Sequence, residues 1–112
     1  LLINNSFNDC ADFSFGEYQI QKANLISCGD KAISVGEKSN MNIETLIVAD
    51  AFIGLSSKDL SITSIKHNIQ ENVKNCFEVS QKKQEFGGSK LIIGHLDCNK
   101  NIIDINSRIL VN

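Results

Sequence analysis

The sequence predicts an all-β fold, a right-handed single-stranded parallel β-helix (a solenoid) of about five coils. Three observations carry that prediction. The first is an imperfect repeat. Phe13-Ser14-Phe15, Ile33-Ser34-Val35, Ile53-Gly54-Leu55, Phe77-Glu78-Val79 and Ile103-Asp104-Ile105 each read apolar, small or polar, apolar. From one triplet to the next the chain advances 20, 20, 24 and 26 residues, a period that belongs to stacked folds. The second is composition. Ile, Asn and Ser are plentiful and Pro is absent; β-branched residues suit a pleated, buried surface, and Asn and Ser suit tight turns. The third is alternation, which sends the outer two residues of each triplet to one side and the central one to the other.

The triplets form the first strand of each coil, with Phe13 and Phe15 directed inward and Ser14 outward. A turn follows each: Gly16-Glu17, Gly36-Glu37-Lys38-Ser39, Ser56-Ser57-Lys58-Asp59, Ser80-Gln81-Lys82-Lys83 and Asn106-Ser107-Arg108. Its third position reads as a basic column of Lys38, Lys58, Lys82 and Arg108. The second strand comes from Tyr18-Gln19-Ile20, Met41-Asn42-Ile43, Leu60-Ser61-Ile62 and Leu91-Ile92-Ile93. The third comes from apolar clusters around Leu25-Ile26, Leu46-Ile47-Val48, Ile65 to Ile69, and Leu96. Equivalent residues then stack one rung apart, at about 4.8 Å. Each inward aliphatic or Phe side chain contributes roughly 1.5–3 kcal/mol by burial.

The longer steps require insertions. Gln84-Glu85-Phe86-Gly87-Gly88-Ser89 is the expected excursion from the rod, since Gly87-Gly88 permits backbone angles that other residues resist. The extra residues of the preceding step are expected within 66–75. Ile62, Ile65, Ile69, Val73 and Cys76 also fit a helical stripe; the flanking repeats favour a coil of the solenoid instead. The whole of 1–112 reads as a single domain. Without visible end caps, it reads as part of a longer polypeptide whose flanking domains are its neighbours.

Composition excludes several functions. The chain of 112 residues has 11 basic and 13 acidic residues, a formal charge of −2, without the basic excess of a nucleic-acid binder. Trp is absent and aromatics are 6%, too few for a base-stacking platform. No apolar run approaches the ~20 residues of a membrane helix, and no signal-peptide pattern precedes the first repeat. No cofactor motif is present: the glycines form neither GxGxxG nor a P-loop, and read as turn and packing residues.

Cys10, Cys28, Cys76 and Cys98 raise the question of disulfides. In the triplet register Cys28 and Cys98 lie three rungs apart, about 14 Å, beyond the reach of a disulfide. Cys10 and Cys76 fall at other offsets, so all four read as small buried hydrophobes. No CxxC appears, and no metal site is expected. His67 and His95 lack metal-ligand spacing and read as surface or packing residues.

The candidate binding residues are charged. Glu37, Lys38, Lys58, Asp59, Lys82, Lys83 and Glu85 fall on or near one edge, with Asp30-Lys31 beside them. Stacking brings the acids near the lysines. Such an edge can hold the hydroxyls and carboxylates of a glycan, or supply a carboxylate and a lysine for proton transfer at a sugar carbon. It can equally be a solvated salt-bridge ladder, worth little per pair.

The segments Asp30 to Ser39, Ile53 to Asp59 and Gln81 to Gly88 resemble bacterial right-handed β-helix repeat proteins of the pectate-lyase-like superfamily. The likeness covers nearly the whole chain. It implies a carbohydrate-associated module: members include polysaccharide lyases, glycoside hydrolases and mannuronan C5-epimerases. Others are non-catalytic β-helix regions of larger surface or coat-associated proteins. The departures matter. The lyase motif needs Pro and several Arg, and only Arg108 is present. The paired aspartates and histidine segment of the galacturonase group and the Asp-Pro-His motif of the epimerases are missing, so no catalytic residue is assigned. Ice-binding β-helices need regular Thr ladders, and only Thr45 and Thr63 occur. Two functional expectations result: a module that binds or helps process a bacterial polysaccharide, and a structural or assembly module.

Overall fold

The computed structural model describes residues 1–83, 87–94, 98 and 100–111. These residues form a parallel β-solenoid of about five turns with no helix. The strands are β1 (Leu2–Ser6), β2 (Ala11–Phe13), β3 (Glu17–Val35), β4 (Asn40–Lys58), β5 (Ile62–Ser80), β6 (Lys90–Ile93), β7 (Asn101–Ile103) and β8 (Arg108–Val111). They stack in the order β1-β3-β4-β5-β6-β8, with β2 on β3 and β7 on β5, every pairing parallel.

β3, β4 and β5 are each 19 residues long. Fully extended, such a strand would reach about 63 Å, yet the molecule spans at most 33 Å. The strands therefore bend around the rod. One bend is a column of left-handed residues, Asn5, Ser27, Asp50 and Asn72, with φ between 53° and 65°. Asn, Asp and Ser tolerate that conformation through local side-chain hydrogen bonds, and Asn72 Nδ2 donates to Asp50 Oδ1 at 2.7 Å, one rung away. The other left-handed corner holds Phe15, Lys38, Asp59 and Leu60.

The register differs from the triplet alignment by two residues in places. Ala11, Ile33, Leu55, Phe77 and Asn101 share a column, so the steps are 22, 22, 22 and 24 residues. Phe13 stacks on Val35, and Leu55 rather than Ile53 stacks on Ile33. A slip of two keeps each side chain on the same face of a strand, which is why the fold class survives it. Phe15 does not follow the alternation: it sits at the corner with φ 52° and is 63% exposed, whereas Phe13 packs against the core. On the second side Tyr18, Met41, Thr63, Leu91 and Ile109 align, replacing the expected Leu60-Ser61-Ile62 with Thr63-Ser64-Ile65. On the third side Ala23-Asn24-Leu25 lies against Leu46-Ile47-Val48 and then Asn68-Ile69-Gln70; Leu96 lies outside the described residues.

Residues 62–80 form β5, a coil rather than a helix. β4 and β5 pair without a register shift, so the extra residues expected within 66–75 are not there. They occur later, where Ile62 pairs with Lys90 after 28 residues. The stretch between contains the expected excursion, of which residues 84–86 lie outside the description.

The core is one continuous stack. Ile33, Leu55 and Phe77 are fully buried on the first side, Met41, Leu91, Ile43, Ile65 and Ile93 on the second, and Leu25, Leu46 and Val48 on the third. One interior corner is polar. The backbone stacks Ser39, Ser61, Ser89 and Ser107 in succession, through bonds from Ile62 to Ser39, Lys90 to Ser61 and Arg108 to Ser89. Ser57 Oγ and Ser61 Oγ lie 2.6 Å apart, and Thr63 Oγ1 donates to Ser57 Oγ at 3.2 Å. Small hydroxyls fit where the turn is tight, and they satisfy one another when buried.

The cysteines are not free hydrophobes. Cys10 pairs with Cys28 and Cys76 with Cys98, across Cα separations of 5.4 and 6.3 Å. The expectation compared Cys28 with Cys98, which are indeed in different coils. The bonded partners are 18 and 22 residues apart. That is about one turn, so a single circuit of the chain returns each cysteine to its partner.

Candidate functional site

The charged corner assembles much as its sequence suggests. It follows β3, β4 and β5, with left-handed Lys38 and Asp59 turning the chain after the first two. Lys83 Nζ contacts Glu37 Oε1 at 3.0 Å, reaching past the intervening coil that carries Asp59. The hydrogen bond from Lys83 holds the Glu37 carboxyl below the usual carboxylate range, with the charges of Lys83 and Lys58 adding to it. Asp59 Oδ1 accepts the backbone N–H groups of Lys82 and Lys83 at 2.6 and 2.9 Å. The Lys38 N–H donates to the Asp59 carbonyl at 2.9 Å. Glu37, Lys38, Lys58, Asp59, Lys82 and Lys83 thus occupy one region; Glu85 lies outside the described residues.

The basic column itself does not form. Arg108 pairs with Lys90, and Lys58 stands opposite Ser80. Asp59 is fully buried, and its carboxylate tethers the next coil rather than facing a ligand. Asp104, two coils further on, reaches the other way and accepts the Gln81 N–H of the preceding coil at 2.6 Å. Burial alone would raise the Asp104 pKa, but hydrogen bonds from Gln81, Ser107 and Asn106 outweigh it and bring it below its ordinary value. Lys31 and Asp30 form their own pair at 2.9 Å. His67 is exposed, and His95 is outside the described residues. Among the described residues no cluster of His, Cys, Asp and Glu could hold a metal ion, and no helix is long and apolar enough to cross a membrane.

A second surface feature was not visible in the sequence. Beyond the corner, the outward positions of the second side line an open groove of about 570 Å³ that crosses four successive coils. One wall carries Gln19, Asn42, Ser64 and Ile92, which share a register column. The other carries Gln21, Glu44, Lys66 and Gly94, two residues further along each coil. The floor is the backbone at Ile20, Ile43 and Ile65; the Ile43 and Ile65 side chains turn into the core. Lys66 and Glu44 face each other at 3.5 Å, both largely exposed. A Cβ on Gly94 would stand 2.7 Å from the Lys66 carbonyl, so glycine permits the close approach that ends this wall. Gln19, Asn42 and Ser64 lie in no common motif. The second-strand alignment already set Gln19 beside Asn42 and Ile92, but it put Ser61 where the structure has Ser64.

No family model, curated protein or solved structure matches the chain.

Proposed function

We propose that the protein is a carbohydrate-associated β-helix module that binds, or helps process, a bacterial polysaccharide, with the polymer lying along the groove. The observation that carries this reading is the groove itself: a shallow trough parallel to the stacking direction, presenting one pair of outward polar side chains in each of three successive coils. Coils repeat at about 4.8 Å, close to the length of one pyranose unit, so a linear glycan would meet a similar set of groups at each step. Membership of the pectate-lyase-like superfamily belongs to the same proposal. The lysines of the adjoining corner, Lys58 and Lys82 among them, would lie beside the polymer's path. The two disulfides support a setting outside a reducing cytosol.

A glycan array tests the reading: binding to at least one linear polysaccharide, weakened by groove substitutions, is expected. Silence against acidic and neutral polymers alike would sink it.

A structural or assembly role is favoured by one separate observation. The terminal coils expose large apolar residues, with Phe7 94% and Ile105 97% accessible. Flanking domains of the same polypeptide are the partners that would cover them in that role.

A further inference from the structure

We infer that the groove is built for an uncharged polysaccharide bearing N-acetyl groups, not for a polyuronate. The inference rests on the polysaccharide-binding reading above and names its substrate class.

Charge comes first. Glu44 and Lys66 are the two charged side chains lining the groove, and they face each other across one rung at 3.5 Å. Their fields largely cancel at any ligand longer than one unit. A polyanion would gain little from Lys66 and would meet repulsion at Glu44. A neutral chain meets neither difficulty.

The remaining polar groups are of the complementary kind. Gln19, Gln21 and Asn42 offer carboxamides and Ser64 a hydroxyl, and among the described residues none of these four side chains is engaged in a hydrogen bond. A carboxamide both donates and accepts, so it can bond both the N–H and the C=O of an acetamido group. Towards Ile92 and Gly94 the groove becomes apolar and loses side-chain bulk, leaving room for an acetyl methyl.

The contrast with the charged corner sharpens the point. Lysines capable of holding a polyanion are present on this molecule, at Lys58 and Lys82, but on the corner and not in the groove.

The test is calorimetric titration of the disulfide-intact protein with three oligosaccharides of equal length: an N-acetylglucosamine oligomer, an unsubstituted glucose oligomer and a galacturonate oligomer. The expected result is binding of the N-acetylated ligand, weakened about fivefold by Asn42→Ala or Gln19→Ala. That affinity should change less than about twofold between low and high salt. Equal binding of the glucose oligomer would overturn the acetamido assignment. Preferential, salt-sensitive binding of the galacturonate oligomer, lost in Lys82→Ala, would overturn the inference while leaving the polysaccharide reading intact. Binding of none of the three, together with a silent glycan array, would overturn both. Circular dichroism of each variant confirms that a lost signal is not a lost fold.

Discussion

Asp59 Oδ1 accepts the backbone N–H of Lys83 at 2.9 Å across one coil, and the same oxygen takes the Lys82 N–H at 2.6 Å. One buried carboxylate thereby accepts from two donors of the following turn, at a corner where no strand ladder is available to them. Asp59→Ala leaves both donors without that acceptor and is expected to cost about 2–4 kcal/mol. Urea denaturation of the two proteins measures it, and a change below about 0.5 kcal/mol would mean that water replaces the carboxylate freely.

The neighbouring Glu37–Lys83 pair sets a pH dependence. The Glu37 carboxyl titrates below its ordinary value of 4.5 because Lys83 hydrogen-bonds it. A depressed folded-state pKa contributes stability that is present above the unfolded value and is lost as pH falls through the folded one. The expected window therefore lies below about pH 4.5. Carboxyl carbon NMR titration should place Glu37 below an ordinary glutamate, and Lys83→Ala should return it towards that value.

Each disulfide closes a loop of about one turn, 18 residues for Cys10–Cys28 and 22 for Cys76–Cys98. Loops of this size restrict the unfolded chain by about 3 kcal/mol each. Cys10→Ser with Cys28→Ser should lower unfolding stability by roughly that amount, as should the Cys76 and Cys98 pair. Mass spectrometry after alkylation without reductant should find no free thiol in the native protein; four alkylated cysteines would contradict the pairing.

Gly54 is held by close contacts. A Cβ there would stand 2.6 Å from the Cys76 carbonyl and would also meet the Gln70 side-chain amide. Gly54→Ala is therefore expected to destabilise by about 1–3 kcal/mol. Gln70→Ala in the same chain should recover only part of the loss, because the backbone carbonyl remains. A thermal melt of the single and double variants separates the two contacts.

The fold was legible because burial imposes a two-residue alternation whether or not the coils are aligned correctly. Ile53 and Leu55 occupy the same face of one strand, so either could head its triplet. Choosing Ile53 moved the register by two without disturbing the conclusion that the strands stack. The corners carry no such redundancy. Gly16, Ser39, Ser61, Ser89 and Ser107 precede the second strand in every coil, and anchoring on them would have fixed the register. The disulfides were lost to the same cause, since partners one turn apart are recognised only when the turn is known to be 22 residues. Of the surface, the charged corner was partly legible because acids and lysines cluster along the chain. The groove was not, because Gln19, Asn42 and Ser64 are ordinary polar residues until three coils are laid side by side.

The repeated bend at Ser27, Asp50 and Asn72 has a consequence for how this molecule can change in length. Asn40 and Ile62 stand at the same place in successive coils, and the backbone enters and leaves each bend alike. Excising residues 40–61 would join Ser39 to Ile62 at matching positions, removing a whole cassette and setting the flanking corners on each other in the same register. Duplicating the same stretch would add one. Insertions or deletions are absorbed in units of a full circuit, and a trough running along the rod would lengthen or shorten by one coil each time.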